Sequence, residues 1–176
     1  VGFELVRKTE LYVDPKSGKE KRRSNRTKNE MYRDLMAQAV KNQILFKYAL
    51  NDIWFASAEN MNFVKITLEK EFAMPLKGNR KVATSAEAKQ NGRYQSVETL
   101  ELEPMKPVTV YLEGVEFALL LAKQVFTNED GSTGILYLVT SDTTAETECF
   151  VGEVAHPNSA NSDQSFLCGF VRLHQT

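Results

Sequence analysis

The sequence predicts a mixed α/β (α+β) fold, and three observations support this. The apolar run Ile44–Leu50 is rich in β-branched and aromatic residues, which is typical of a strand, and a helical pattern starts at Ser57. Thr27 and Glu30 form a capping box ahead of an apolar helical stripe: Met31, Leu35, Ala39 and Val40. Beyond residue 85, short segments alternate with a period of two, which indicates antiparallel strands.

The first element is a basic loop that leads into this helix. Asp14–Pro15 and Ser17–Gly18 mark a turn. Between Lys16 and Lys28 the segment contains one acid, Glu20, and seven cations: Lys16, Lys19, Lys21, Arg22, Arg23, Arg26 and Lys28. Two interpretations remain open, a solvated surface or a set of contacts to DNA phosphates. No aromatic residue is interleaved with the cations, so the loop is not expected to stack on bases.

Asp52 follows the predicted strand Ile44–Leu50 at the point where the chain turns towards the helix. α/β folds often place ligands at the carboxyl ends of strands, so Asp52 is a candidate catalytic residue and metal ligand. A turn or helix-capping aspartate is the alternative. Trp54 is the only tryptophan of the chain; we expect it to anchor the core and keep a DNA-facing ring as the alternative.

The second half of the chain predicts a β-rich block. Turn residues separate four predicted strands: Val97–Leu102, Val108–Leu112, Phe117–Val125 and Ile135–Ser141. Asp130–Gly131 lies between the last two and is a typical hairpin signal.

Composition excludes several classes of protein. At 176 residues one domain is the default, and the net charge of −1 argues against the whole chain acting as an electrostatic DNA binder. No apolar run approaches the ~18 residues of a membrane span, and no signal peptide is visible. Two cysteines do not imply a disulfide framework. A cytoplasmic location is the simplest expectation.

The tail, residues 143–176, is rich in polar residues and predicts disorder or a sequence altered by a frameshift. It contains both cysteines and both histidines of the chain: Cys149, His156, Cys168 and His174. Structural zinc sites usually contain a closely spaced pair of ligands, and no such pair is present. A zinc site is therefore the less favoured alternative.

Several segments, in order from Val1 to Asp142, resemble the D-D-E insertion-sequence transposases of the insertion-sequence-four group. The segment Leu50–Met61 is similar to the motif around that family's second catalytic aspartate, which would be Asp52. Gly2–Glu10 is similar to the strand that follows the family's first catalytic aspartate, and Leu76–Ala83 is similar to the strand end and turn after the second aspartate's helix. Two further segments, Val125–Ser132 and Tyr137–Asp142, are similar to the hairpin and strand ahead of the catalytic glutamate's helix.

This resemblance implies an RNase H-like sheet with flanking helices, interrupted by an antiparallel β-rich insertion. The implied domains are a partial catalytic core at 1–84, the insertion at 85–141 and a divergent tail at 142–176. The implied reaction is Mg²⁺-dependent cleavage and strand transfer at the ends of a transposon, on double-stranded DNA, by a homodimer in the intact family. Lys77 and Arg80, within Leu76–Ala83, join the basic loop as candidate DNA-binding residues.

Two departures from the family suggest a partial or degraded copy that is inactive alone. The chain begins inside the strand at Val1, so the first aspartate would lie upstream. After Asp142 the family's Tyr-x2-Arg-x3-Glu-x6-Lys motif is not recognisable, although three glutamates follow: Glu146, Glu148 and Glu153. The alternatives are a non-catalytic DNA-binding remnant and an unrelated α+β binding module.

Overall fold

Two compact units make up the chain, Val1–Ile44 and Leu45–Thr176. The computed structural model describes residues 6–128 and 130–145, together with the backbone of Phe170–Leu173. Eleven basic and six acidic residues give the first unit a net charge of +5, whereas eleven basic and seventeen acidic residues give the second −6. The overall charge of −1 therefore conceals a basic amino-terminal unit.

The first described element of the first unit is a β-hairpin where the sequence predicted a basic loop. Strand β1 (Glu10–Val13) pairs antiparallel with β2 (Glu20–Arg23). The turn closes through a hydrogen bond from the Asp14 N–H to the Lys19 carbonyl at 3.0 Å. The prediction of a loop was wrong because β1, which contains Leu11, Tyr12 and Val13, provides a pairing partner for the basic residues.

Helix α1 (Lys28–Lys41) follows and begins as predicted. The Glu30 N–H donates to the Thr27 hydroxyl at 3.2 Å and the Thr27 N–H donates to the Glu30 carboxylate at 2.6 Å, which confirms the capping box. The buried side chains are Met31, Tyr32 and Met36, whereas Leu35, Ala39 and Val40 are half-buried. The buried face of the helix thus differs from the predicted one and contains the larger side chains Tyr32 and Met36, whose burial removes more apolar area from water.

Eight strands of the second unit form one mixed sheet. In chain order they are β3 (Tyr48–Asn51), β4 (Glu71–Leu76), β5 (Lys81–Ala83), β6 (Gln95–Ser96), β7 (Val108–Leu112), β8 (Leu119–Thr127), β9 (Thr133–Thr140) and β10 (Phe170–Leu173). Their order across the sheet is β10-β3-β4-β9-β8-β7-β5-β6. β3 is parallel to both β10 and β4, and the other neighbours are antiparallel. The predicted mixed α+β class is confirmed.

Strand β3 lies inside the sheet, as expected, but it starts four residues later than predicted. The Ile44 N–H bonds back to the Ala39 carbonyl, and Leu45 is 91% exposed. Gln43 has a φ of +58°, which turns the chain out of α1. The first residues of the apolar run therefore form the exit from the helix, and only the last part of the run enters the sheet.

The crossover from β3 to β4 contains the helix predicted from Ser57. A single 3₁₀ turn at Ile53–Phe55 comes first. The Ser57 hydroxyl then accepts the Asn60 N–H and caps α2 (Ala58–Asn62), which continues into a π-turn at Phe63–Thr67. Met61 and Val64 are fully buried, so this connection packs onto the hydrophobic core.

The antiparallel half of the sheet agrees with three of the four predicted strands. β7 matches Val108–Leu112, and β8 and β9 lie within two residues of their predicted starts. Gly131, with a φ of +81°, closes the hairpin that joins β8 to β9. The predicted strand Val97–Leu102 is wrong: Val97–Thr99 forms one 3₁₀ turn, because the Val97 N–H donates to the Arg80 carbonyl of a turn and not to a strand.

The core of the second unit lies on the central strands of this sheet. Its fully buried side chains include Phe72, Met74, Val110, Leu112, Leu119, Leu121 and Leu138. A short helix, α3 (Ala86–Gln90), connects β5 to β6. Within the described ranges, no helix is both long and apolar enough to cross a membrane.

Candidate functional site

Asp52 lies directly after the carboxyl end of β3, next to the buried Asn51. Its backbone begins the 3₁₀ turn by accepting the Phe55 N–H at 3.0 Å, but its carboxylate makes no capping hydrogen bond. The side chain is half-buried. Asp52 therefore occupies the N-cap position of the turn, as in the alternative interpretation, but only its backbone carbonyl takes part in the turn. Its carboxylate remains available to a ligand.

A second turn follows the neighbouring parallel strand at the same edge of the sheet. β4 ends at Leu76, and residues 77–80 form a turn in which the Arg80 N–H donates to the Lys77 carbonyl at 3.1 Å. The guanidinium of Arg80 donates from Nη1 to the Ala56 carbonyl at 3.0 Å. This bond ties the turn after β4 to the turn after β3, because Ala56 belongs to the same connection as Asp52.

Trp54 is exposed, which makes the predicted core anchor wrong. It keeps 62% of its accessible surface, whereas its neighbour Phe55 keeps only 9%. The tight 3₁₀ turn sends consecutive side chains in different directions, so Phe55 enters the core and Trp54 leaves it. The Lys77 ammonium lies 5.1 Å from the centroid of the Trp54 ring, within the range of a cation–π interaction.

These residues enclose a small pocket, which we call the Trp54 cleft. Its volume is about 150 Å³, and it is lined by Ile53, Trp54, Ala56, Ser57, Lys77 and Arg80. Lys77 is exposed and Arg80 is half-buried. Neither cation has an ion-pair partner in the part of the chain that the structure describes. The cleft therefore combines an exposed aromatic ring with two uncompensated positive charges.

The described carboxylates do not assemble a metal centre around Asp52. Among residues 6–128 and 130–145, no three His, Cys, Asp or Glu side chains come together to hold a metal. A two-metal site needs several carboxylates, so Asp52 alone does not fit it. Glu146, Glu148 and Glu153 lie outside the described residues, as do the four potential zinc ligands: Cys149, His156, Cys168 and His174.

Asp142, which the resemblance places ahead of the glutamate's helix, lies at the other end of the sheet. It follows β9, which is antiparallel to β4, and it binds residues at the start of β3. Its carboxylate accepts the Tyr48 hydroxyl, the Lys47 ammonium at 3.1 Å and the Thr144 N–H at 3.0 Å. No local pattern in the sequence predicted this cluster, because Lys47 and Tyr48 are more than 90 residues away from Asp142.

The pKa values of this cluster are strongly shifted. Burial would raise the pKa of Asp142, but the hydrogen bonds from Thr144, Tyr48 and Lys47 outweigh it and hold that pKa well below its usual range. The contacts with Tyr48 and Asp142 raise the pKa of Lys47. Burial raises the pKa of Tyr48. The cluster is therefore a satisfied network that stabilises the fold.

Some cations in the basic segment of the first unit form ion pairs, and others do not. Lys21 pairs with Asp14, Arg23 with Glu10 at 3.2 Å, and Arg26 with Asp34. The cations that have no ion pair in the described part of the chain are Lys16, Lys19, Arg22 and Lys28. Neutralised cations attract phosphate less, so these four are the stronger candidates for DNA contacts.

Neither the protein-family models nor the curated proteins to which the sequence was compared match this chain.

Proposed function

We propose that this chain belongs to the D-D-E transposases of the insertion-sequence-four group and binds double-stranded DNA at the sheet edge that carries Asp52. One observation supports this most directly. Asp52, Lys77 and Arg80 all follow the carboxyl ends of two neighbouring parallel strands, β3 and β4. That edge is where open α/β sheets bind their ligands. An RNase H-like core, with β3 and β4 as two of its parallel strands, is part of the same proposal.

The charges of this edge suit a phosphate backbone. Lys77 and Arg80 have no carboxylate to neutralise them in the described ranges, and Arg80 is held in place by the Ala56 carbonyl. A fixed guanidinium still has N–H donors to offer to phosphate oxygens. The two cations also offset the repulsion between the Asp52 carboxylate and an approaching phosphate.

The family reaction is phosphoryl transfer, which needs two divalent ions held by several carboxylates. Asp52 supplies one carboxylate, enough at most to hold a single Mg²⁺ weakly together with phosphate oxygens. The residues brought together here therefore act in binding DNA, and we infer that this chain alone does not cleave it.

The salt dependence of DNA binding tests this proposal. A fluorescently labelled duplex is titrated with the purified chain at several salt concentrations, and anisotropy gives the affinity. We expect Lys77→Ala/Arg80→Ala to lower the slope of log affinity against log salt by about 2, since each phosphate that is no longer neutralised removes about 0.9.

The matched control is Lys41→Ala/Arg93→Ala, which removes the same two charge types outside the cleft, from exposed positions that have no ion pair in the described ranges. It should leave the slope near that of the wild type. Equal slopes for the two double variants, or no binding of duplex DNA by the wild type, would reject the proposal.

A further inference from the structure

Trp54 is held at the rim of the cleft by its neighbours and not by its own burial. On one side, the Phe55 N–H donates to the Asp52 carbonyl and the Phe55 ring is buried. On the other side, the Ser57 N–H donates to the Phe55 carbonyl at 2.8 Å. A large ring is therefore presented to solvent on a backbone that is fixed at both ends. The backbone that carries the ring therefore needs no reorganisation when a flat partner binds.

One cation of the cleft lies over a face of this ring, and the second is tied to the same turn. The Lys77 ammonium is 5.1 Å from the ring centroid, and Arg80 is fixed through Ala56, two residues after Trp54. An exposed ring alone would mean little, since single exposed apolar residues are common. A fixed ring with two uncompensated cations in the same pocket is the combination by which proteins hold single nucleic-acid strands, stacking on bases and attracting phosphates.

The size of the cleft restricts its occupant. At about 150 Å³ it is smaller than the roughly 300–1,000 Å³ of pockets that enclose a whole small-molecule ligand. It has room for one planar group, with the remainder of the ligand outside. A base with its flanking phosphates fits this description, because the phosphates can lie near Lys77 and Arg80.

We propose that the Trp54 cleft binds one unpaired nucleotide of DNA, with the base stacked on Trp54 and the adjoining phosphates held by Lys77 and Arg80. This rests on the proposed function, since it names the part of the DNA that the sheet edge receives. It also separates the cleft from the basic hairpin, where the ring that accompanies the cations, Tyr12 beneath Arg23 at 5.4 Å, is half-buried, whereas Trp54 is exposed. The hairpin would bind backbone only, whereas the cleft would also bind a base.

The fluorescence of Trp54 provides a direct test because the chain has a single tryptophan. Three duplexes of equal length are compared: blunt-ended, with a short single-stranded overhang, and with the same overhang made abasic. We expect the overhang to quench Trp54 and to bind roughly tenfold more tightly than the abasic form, the effect of stacking one base. Because variants without tryptophan lose this signal, their affinity is measured by anisotropy of labelled DNA.

In that assay, Trp54→Ala should lose the tenfold preference for the overhang, and Trp54→Phe should keep part of it. The exposure of Trp54 makes both variants compatible with folding, which circular dichroism checks. Equal affinity for all three duplexes with unchanged fluorescence would overturn the inference and leave the proposed function intact. An overhang preference that persists in Trp54→Ala would also overturn it. Failure to bind any of the duplexes would reject both.

Discussion

The two ends of the parallel pair β3 and β4 use charged residues in opposite ways. At the amino end, Lys47 pairs with Asp142, and Lys65 pairs with Glu71, whose carboxylate also accepts the Ser141 hydroxyl at 2.6 Å. At the carboxyl end, Lys77 and Arg80 have no ion pair in the described ranges, and the Asp52 carboxylate makes no capping bond.

This difference distinguishes charges that hold the fold from charges that can meet a ligand. A carboxylate with four donors, such as Asp142, already has its hydrogen-bonding capacity largely satisfied. Its loss should be felt in the free energy of unfolding. A charge with few partners contributes little to stability, so its removal should change the affinity for a ligand and not the free energy of unfolding.

The largest expected effect is on stability, and it compares one aspartate from each end. Asp142→Ala removes the acceptor of the Tyr48 hydroxyl and of Thr144, which should lower the free energy of unfolding by about 2–4 kcal/mol. Asp52→Ala should change it by no more than about 0.5 kcal/mol. Urea unfolding followed by circular dichroism measures both. Equal losses of unfolding free energy in the two variants would show that the charged residues at the two ends of the parallel pair do not differ in their role.

A smaller effect should appear in the pH dependence of stability. The pKa of Asp142 is lowered in the folded state, so its contribution is present above the unfolded value near 3.8 and is lost as the pH falls below it. Between pH 5 and pH 3 this loss should amount to about 1 kcal/mol. In Asp142→Asn, which cannot titrate, the decline should be shallower by that amount. Asp52→Asn is the control. If it makes the decline in stability shallower by as much as Asp142→Asn does, the assignment of this pH dependence to Asp142 is wrong.

The last effect concerns DNA binding by the basic hairpin, where paired and unpaired cations lie on one element. Lys16→Ala/Lys19→Ala/Arg22→Ala should reduce the salt slope of duplex binding by up to about 0.9 for each phosphate that these cations neutralise. Lys21→Ala/Arg23→Ala should reduce it less, because these cations already neutralise Asp14 and Glu10. Anisotropy at several salt concentrations compares the two. If neither variant changes the slope, the hairpin is solvated surface only.

The elements predicted correctly are those whose signals are local. The capping box of Thr27 and Glu30, the helix start at Ser57 and the turn at Asp130–Gly131 each involve residues within a few positions of one another. Their geometry depends on backbone conformation and short hydrogen bonds, which neighbouring residues largely determine. For the same reason, the residues around Asp52 were sufficient to predict its position at the end of a strand.

Tertiary structure alone decided which charges are satisfied. Asp142 and Tyr48 meet across 94 positions, and Arg80 reaches Ala56 across 24, so no window of sequence contains either pair. The same holds for Trp54, whose exposure depends on how its turn packs onto the sheet. The segment from Val97 likewise does not form its predicted strand, because the Val97 N–H donates to the carbonyl of Arg80, 17 positions earlier. Local residues determine conformation, but the partner of a charge or a ring depends on the packing of the whole sheet, and the candidate site depends on those partners.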